Sequence, residues 1–360
     1  MDKIKVLIVD DSSVIRAIVR GVLSQDESIM VVGEAENPLV ARELIKKLNP
    51  DVLTLDVEMP KMDGITFLSN LMRLRPMPVV MLSTLTTKGA DITLQALEIG
   101  AVDFIAKPNV ESLIANKASF KDLLIDKIKH AITVNHKNYQ LNQQLSKPSS
   151  ELELTFEGAD KNHLIAIGAS TGGTEAIKSV LIQLPKNSPA IVIAQHIPPT
   201  FSARFASRLN SLCAMQVHEA KHGQKILPGH VYIAPGDRHL KVESKGEALF
   251  CVLDDSAEVN RHKPAVDVLF NSLIAMAKNV QAVVLTGMGS DGAKGLLNLQ
   301  QAGARTIIQD EQSSLIWGMP GSAAKLNAYT DELSLKDIAK SVLAFAELPK
   351  HKRARVLYVD

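Results

Sequence analysis

Five short apolar runs recur along the first third of the chain: KVLIV (5–9), MVVGEA (30–35), DVLTLD (51–56), PVVML (78–82) and AVDFIA (101–106). Between them apolar residues change period. Ile65, Leu68, Leu71 and Met72 recur at three- and four-residue spacing, which lays one apolar stripe along a helix facing a sheet. Strand and helix alternation of this kind restricts a chain to βα units and a parallel sheet covered on both faces. Aromatic residues make up only 4% of the 360 residues, so the cores must rest on Ile, Val, Leu and Ala, as in sheets buried between helices.

At about 150 residues per domain, this length predicts two domains. A composition break at 130–162, rich in polar amides and Lys-Pro-Ser-Ser, reads as a linker whose early part extends the preceding helix. Leu152, Leu154 and Phe156 are the residues in it that could dock on a neighbour. Beyond it, strands are predicted at HLIAIG (163–168), AIVIA (190–194), VYIA (231–234), LFCVL (249–253), AVVLTG (282–287) and RTIIQ (305–309). Helices near 174–184, 201–211, 265–277 and 292–301 interleave them. The expected layout is a domain at 1–125, a linker at 126–162, a second α/β domain at 163–348 and a basic tail at 349–360.

Lys plus Arg number 40 and Asp plus Glu 39, so no whole-molecule field draws the chain to nucleic acid or to an acidic membrane. No apolar run approaches the roughly 20 residues that cross a bilayer, and the first stops at Asp10-Asp11 without a signal-peptide pattern. A cytoplasmic protein with no direct membrane insertion is expected. Cys213 and Cys251 are too few and too distant for a disulfide framework or a zinc site, and read as packing residues. The tail run KHKRAR (350–355) reads as a solvated end.

In a parallel sheet the side chains just past the carboxyl ends of the strands converge on one crevice. Asp10 and Asp11 follow the first strand, Asp56 ends the third, Ser83 ends the fourth and Lys107-Pro108 follows the fifth. Three crowded carboxylates call for a hard divalent cation, and magnesium fits best. Asp56 can then accept a phosphoryl group, with Lys107 neutralising charge and Ser83 bonding one oxygen. Taken singly, each Asp could simply cap a helix. As a set, spaced 45, 27 and 24 apart, these residues resemble the receiver domain of bacterial response regulators over residues 1 to about 125. The resemblance implies a flavodoxin-like (βα)5 fold and phosphorylation of Asp56 by a histidine kinase. It also implies magnesium on Asp11, Asp56 and the main-chain carbonyl of Glu58, with Asp10 bound through water, and a cis bond before Pro108.

The strand HLIAIG runs into GASTGGTEA, where Gly168-Ala-Ser170-Thr-Gly172 fits the G-x-S-x-G elbow that projects a serine from a strand-to-helix turn. Such glycine-rich turns also bind phosphates, so both readings stay open on the pattern alone. No Lys-Ser or Lys-Thr follows the glycines and no Tyr-x-x-x-Lys pair exists, which favours the serine. A serine nucleophile needs a base near another strand end. His196 follows AIVIAQ, with His239 and His262 as competitors. A carboxylate must then orient the imidazole. Asp291, past AVVLTG, is placed to do so, its alternative role being to cap the helix that begins near Gly292. The order Ser, His, Asp differs from that of α/β-hydrolases, so the elbow does not import their fold.

Together GASTGGTEA, QHIPP, PGHVYIAPGDRH, NRHKPAVDVLF and LTGMGSDGAKG resemble the catalytic domain of the chemotaxis protein-glutamate methylesterases over 163 to about 330. The resemblance implies a doubly wound, mostly parallel α/β domain with Ser170, His196 and Asp291 as its triad. The main-chain amide of Met288 and the Thr171 region would form the oxyanion site. Methyl-accepting chemotaxis receptors would be the substrate, a chemotaxis histidine kinase the phosphodonor, and the protein would be recruited to receptor clusters. Glutamine deamidation is expected beside ester hydrolysis, no cofactor is expected for the ester chemistry, and the unphosphorylated receiver is expected to restrain the enzyme. Two rival classes are a receiver-controlled transcription factor, which would need a helix-turn-helix and a basic face, and a nucleotide-dependent reductase using the GASTGG turn for pyrophosphate.

Overall fold

A computed structural model describes residues 3–59, 63–84, 86–107, 110–134, 154–156, 163–349 and 353, with only the backbone given for 110–119. The chain divides into two compact units, Met1–Tyr139 and Gln140–Asp360.

In the first unit the apolar runs form β1 (Ile4–Val9), β2 (Ile29–Ala35), β3 (Val52–Asp56), β4 (Val79–Ser83) and β5 (Asp103–Ala106). They pair in the order β2-β1-β3-β4-β5, every pair parallel. Local chemistry fixes where the helices start. Ser12 accepts from Ile15 N–H, Asn37 from Leu39 and Val40 N–H, Asp63 from Thr66 N–H and Thr86 from Gly89 N–H, each satisfying a donor that the first turn leaves without a partner. The helix at Val110–Ala131 closes the unit. Because β1 is flanked by β2 on one side and β3 on the other, the order reverses between β1 and β3, and the crevice opens where Asp10, Asp11 and Asp56 emerge.

The second unit carries β6 (Leu164–Ala169), β7 (Ala190–Gln195), β8 (Gln216–Glu219), β9 (His230–Ile233), β12 (Val280–Val284), β13 (Arg305–Gln309) and β14 (Asp331–Leu333). The sheet order is β14-β13-β12-β6-β7-β9-β8, again wholly parallel. Val6–Val9 and Leu164–Ala169 are buried on both faces, as parallel strands between helices must be.

One strand was misplaced by its composition. LFCVL does not join the main sheet: it lies in β11 (Ala248–Asp254), which pairs antiparallel with β10 (His239–Lys245) as a separate hairpin turning at Gly246. Of β11 only Cys251 is buried, so this ribbon has one wet face, and its apolar run cannot be told from a core strand by hydrophobicity alone. Short QVHE and DEL form β8 and β14 at the sheet borders, where too few apolar residues are needed to leave a pattern. The predicted helix at 265–277 stops at Ser272 and continues as a 3₁₀ turn at Ile274–Asn279, and helices at Met319–Lys325 and Leu335–Glu347 carried no expectation.

Phe156 is buried and its carbonyl accepts from Asn187 Nδ2 at 2.6 Å, while Leu154 is half-buried and Leu152 lies outside the described residues. Cys251 is buried and Cys213 half-buried. The tail reading is corrected at Arg353, which is not solvated: it is 5% exposed and donates to Leu348 O at 2.8 Å and Ala346 O at 2.6 Å. Arginine carries enough donors to cap a helix end from beyond it, which a count of charges does not reveal. Among the described residues no helix is long and apolar enough to cross a membrane.

Candidate active site and acceptor pocket

Three neighbouring strands of the second sheet place three loops on one rim. Ser170 follows β6, His196 follows β7 and Asp291 lies in the loop after β12. The register sets Ala169 opposite Gln195, so the residues after each emerge side by side. Main-chain bonds hold that arrangement: His196 N–H donates to Ala169 O at 3.2 Å, Ser170 N–H to Thr286 O at 3.1 Å and Gly173 N–H to Ser170 O at 2.7 Å. Gly172 turns the chain at φ +75°, and a side chain at Gly168 would collide with Val266.

The imidazole of His196 joins the other two groups. Its Nε2 lies 2.8 Å from Asp291 Oδ2 and its Nδ1 lies 3.1 Å from Ser170 Oγ. Burial works to raise the Asp291 carboxyl, but hydrogen bonds from His196, Asn260 and the Val266 amide outweigh it and hold it at about 2. An ionised carboxylate only accepts, so Nε2 carries the ring proton and Nδ1 offers its lone pair to the serine hydroxyl. The loop after β12 closes the other side. No acceptor lies on the Met288 N–H among the described residues, whereas Thr171 is buried and its carbonyl accepts from Thr286 Oγ1 at 3.2 Å.

The competitors to His196 separate cleanly. His239 is fully buried, accepts at Nδ1 from Ala265 N–H at 3.1 Å and has Nε2 3.0 Å from Ala257 O, so both nitrogens serve the main chain. His262 stacks on His196 with ring centroids 3.6 Å apart and planes at 13°. Sequence reasoning missed three polar side chains at this rim. Gln195 Nε2 donates to Ser170 O at 2.9 Å and His196 O at 3.2 Å, tying the serine turn to the histidine. Asn260 donates to Asp291 Oδ1 at 2.7 Å and to Asp267 Oδ2 at 2.8 Å. Gln195 had a signal in its place directly before His196; Asn260 and Asp267 had only their membership of NRHKPAVDVLF.

In the first unit Asp10, Asp11 and Asp56 each bring a carboxylate oxygen within 4.8 Å of the others. Lys107 Nζ sits 2.9 Å from Asp10 Oδ2 and 2.8 Å from Asp56 Oδ1. Burial pushes Asp56 up to about 6 despite Lys107, while the two carboxylates raise the Lys107 ammonium although burial alone would lower it. Among the described residues Asp56 Oδ2 is buried with no hydrogen-bond partner, the condition of an oxygen that a cation or a phosphoryl group would satisfy. Glu58 N–H donates to Asp56 Oδ1 at 3.1 Å, and Arg16 Nη1 donates to the carbonyls of Asp10 and Asp11, holding the acidic loop. Ser83 is buried and its Oγ accepts from Thr93 Oγ1 at 2.7 Å. The expected cis bond before Pro108 lies outside the described residues.

A receiver-like unit with an acidic pocket, joined to a parallel α/β unit whose rim carries a serine, histidine and aspartate in one chain of hydrogen bonds, defines a response regulator with a hydrolase as its output. The comparisons with known proteins agree with that class. A family model described as CheB methylesterase matches residues 165–342, and the response regulator receiver domain model matches 6–118. A protein-glutamate methylesterase/protein-glutamine glutaminase of Hydrogenovibrio crunogenus is 50% identical over 373 residues, spanning 96% of this chain and 99% of its own. One from Photorhabdus laumondii is 51% identical, spanning 96% of this chain and 97% of its own. The crystal structure of the Thermotoga maritima CheB methylesterase catalytic domain is 35% identical with a TM-score of 0.50, covering 51% of this chain and 97% of that one. The chain belongs to the protein-glutamate methylesterase/protein-glutamine glutaminase family.

Proposed function

We propose that this protein hydrolyses glutamyl γ-methyl esters on methyl-accepting chemotaxis receptors, under phosphorylation control, and deamidates receptor glutamines at the same site. The observation that carries the reading is His196 standing within hydrogen-bond reach of both Ser170 Oγ and Asp291 Oδ2. Ser170 Oγ attacks the ester carbonyl while His196 Nδ1 takes its proton, and ionised Asp291 stabilises the imidazolium. The Met288 N–H and the Thr171 region receive the developing oxyanion. His196 then returns the proton to the leaving oxygen, methanol departs, and water hydrolyses the acyl-serine to a glutamate carboxylate. With a glutamine, ammonia leaves instead.

In the first unit Asp56 is the phosphoryl acceptor and a chemotaxis histidine kinase the donor. Asp11, Asp56 and the Glu58 carbonyl would hold Mg2+ directly and Asp10 through water, and the bound ion would neutralise charge on the transferring oxygens. Lys107 Nζ pairs with both Asp56 Oδ1 and Asp10 Oδ2 and so holds the acceptor carboxylate in place. Recruitment from the cytoplasm to receptor clusters follows from the substrate. The test is methanol released from methylated receptor membranes: Ser170→Ala, folded as judged by circular dichroism, should release none, and turnover at the wild-type rate would refute the assignment.

A further inference from the structure

Residues Val259–His262 close on themselves. Val259 N–H donates to His262 O at 3.1 Å and His262 N–H to Val259 O at 3.0 Å, with Asn260 at φ +54° and Arg261 at φ +66° between them. Two consecutive left-handed residues make the tightest hairpin turn a chain can form. This turn delivers two side chains to the triad. Asn260 gives its amide to Asp291 Oδ1 and Asp267 Oδ2, and His262 lays its ring flat on His196.

Asp291 and Asp267 are 2% and 6% exposed, so two carboxylates face each other away from water. Without a donor between them they would repel. An Asn side-chain nitrogen carries two N–H groups, and the contacts at 2.7 and 2.8 Å give one to each carboxylate. Asp291 Oδ1 thus accepts from Asn260 as well as from Asp267 N–H at 3.2 Å, while Oδ2 accepts from Val266 N–H at 2.6 Å and stays turned to His196. The flat contact with His262 acts on the base itself. A ring held parallel at 3.6 Å cannot turn about χ2 without driving its edge into its neighbour, and only one plane lets Nδ1 reach Ser170 while Nε2 reaches Asp291. The turn is already closed by its own main chain, so neither side chain is required to form it.

We infer that Asn260 and His262 are positioning residues of the esterase, holding the Asp291 carboxylate and the His196 ring in their productive register from a single turn. The inference rests on the esterase reading above.

The test uses the full chain with methylated receptor membranes. Asn260→Gly keeps a residue suited to the left-handed turn and removes the amide; His262→Ala removes the flat surface and His262→Phe restores it. Asn260→Gly and His262→Ala should each lower kcat about tenfold to a hundredfold with KM unchanged, the scale expected from displacing a reacting group by a fraction of an ångström to an ångström. His262→Phe should recover most of that loss. The low-field proton resonance of the His196–Asp291 hydrogen bond should broaden or vanish in His262→Ala and persist in His262→Phe. Wild-type kcat in both Asn260→Gly and His262→Ala, a Phe variant no better than Ala, or a rise in KM alone would overturn the inference. If Asn260→Gly fails to melt cooperatively, the two His262 variants decide it by themselves. Ser170→Ala separates the two levels: turnover there sinks the esterase reading, whereas a silent Ser170→Ala beside wild-type rates in the turn variants sinks only the positioning role.

Discussion

Gly287 lies so close behind Ser170 that a methyl group on its α-carbon would stand 2.8 Å from Ser170 Cβ and 2.9 Å from Ser170 N. The Ser170 turn and the loop after β12 are therefore packed closely together, with Ser170 N–H bonded to Thr286 O. No side chain fits between them.

The same methyl would also collide with the buried Met319 Sδ, so Gly287→Ala should both displace the serine and crowd the core. The expected result is a fall of at least tenfold in kcat together with about 1–3 kcal/mol of lost stability in the second unit, the usual cost of overpacking. Steady-state methanol release and denaturant melts would check both; unchanged values would show that the loop yields freely.

Asp291 ties the proposed triad to acid stability. Its carboxyl sits at about 2 in the folded protein against 3.8 ordinarily, so its ionised form favours folding. That contribution is complete above about pH 4 and is lost as pH falls towards 2, amounting to about 2 kcal/mol. Calorimetry of Asp291→Asn beside wild type between pH 6 and pH 2 should show the stability difference changing by this amount inside that window and nowhere else. A difference independent of pH would contradict it. The same variant should lose about three to four orders of magnitude in kcat, because an amide can hold the wrong imidazole tautomer.

Asp56→Asn should abolish activation of methanol release by acetyl phosphate and Mg2+ while leaving unstimulated turnover in place. It should also raise the melting temperature of the first unit without metal, since it removes a buried charge beside Asp10. Mg2+ should raise the wild-type melting temperature and affect the variant far less. Full activation of the variant would remove Asp56 from the acceptor role.

Much of this was legible in the chain, for a physical reason. Ser170, His196 and Asp291 each sit just past an apolar run, and a parallel sheet sends every such position to one rim, so spacing in sequence becomes proximity in space. The acidic set at Asp10, Asp11 and Asp56 was readable by the same logic. Asn260, His262 and Gln195 were harder to read as parts of the site. Asn260 and His262 reach the rim from a hairpin turn set by main-chain bonds and left-handed backbone, and Gln195 acts on carbonyls, which no residue pattern encodes. The β10–β11 ribbon was misread because apolar content does not state which strand a strand will pair with. Arg353 was misread because charge suggests solvent until its partners are known.

Arg353→Ala should expose that last point. Removing a buried guanidinium bonded to Leu348 O and Ala346 O, and 3.2 Å from His163 Nδ1, should cost the second unit about 2 kcal/mol or more. Esterase kcat should stay within twofold of wild type. A melting temperature equal to wild type would return Arg353 to the solvated tail.

The placement of β12, β6 and β7 in the middle of a seven-stranded sheet has a further consequence. The borders, β14 and β8, hold only 3 and 4 residues, so brief fraying there breaks few ladder bonds and stays local. The loops carrying Ser170, His196 and Asp291 hang instead from the central ladders, which open last. Amide exchange would run fastest at the margins while the centre stays protected, and an enzyme built this way can breathe at its edges through turnover after turnover without losing the alignment on which each one depends.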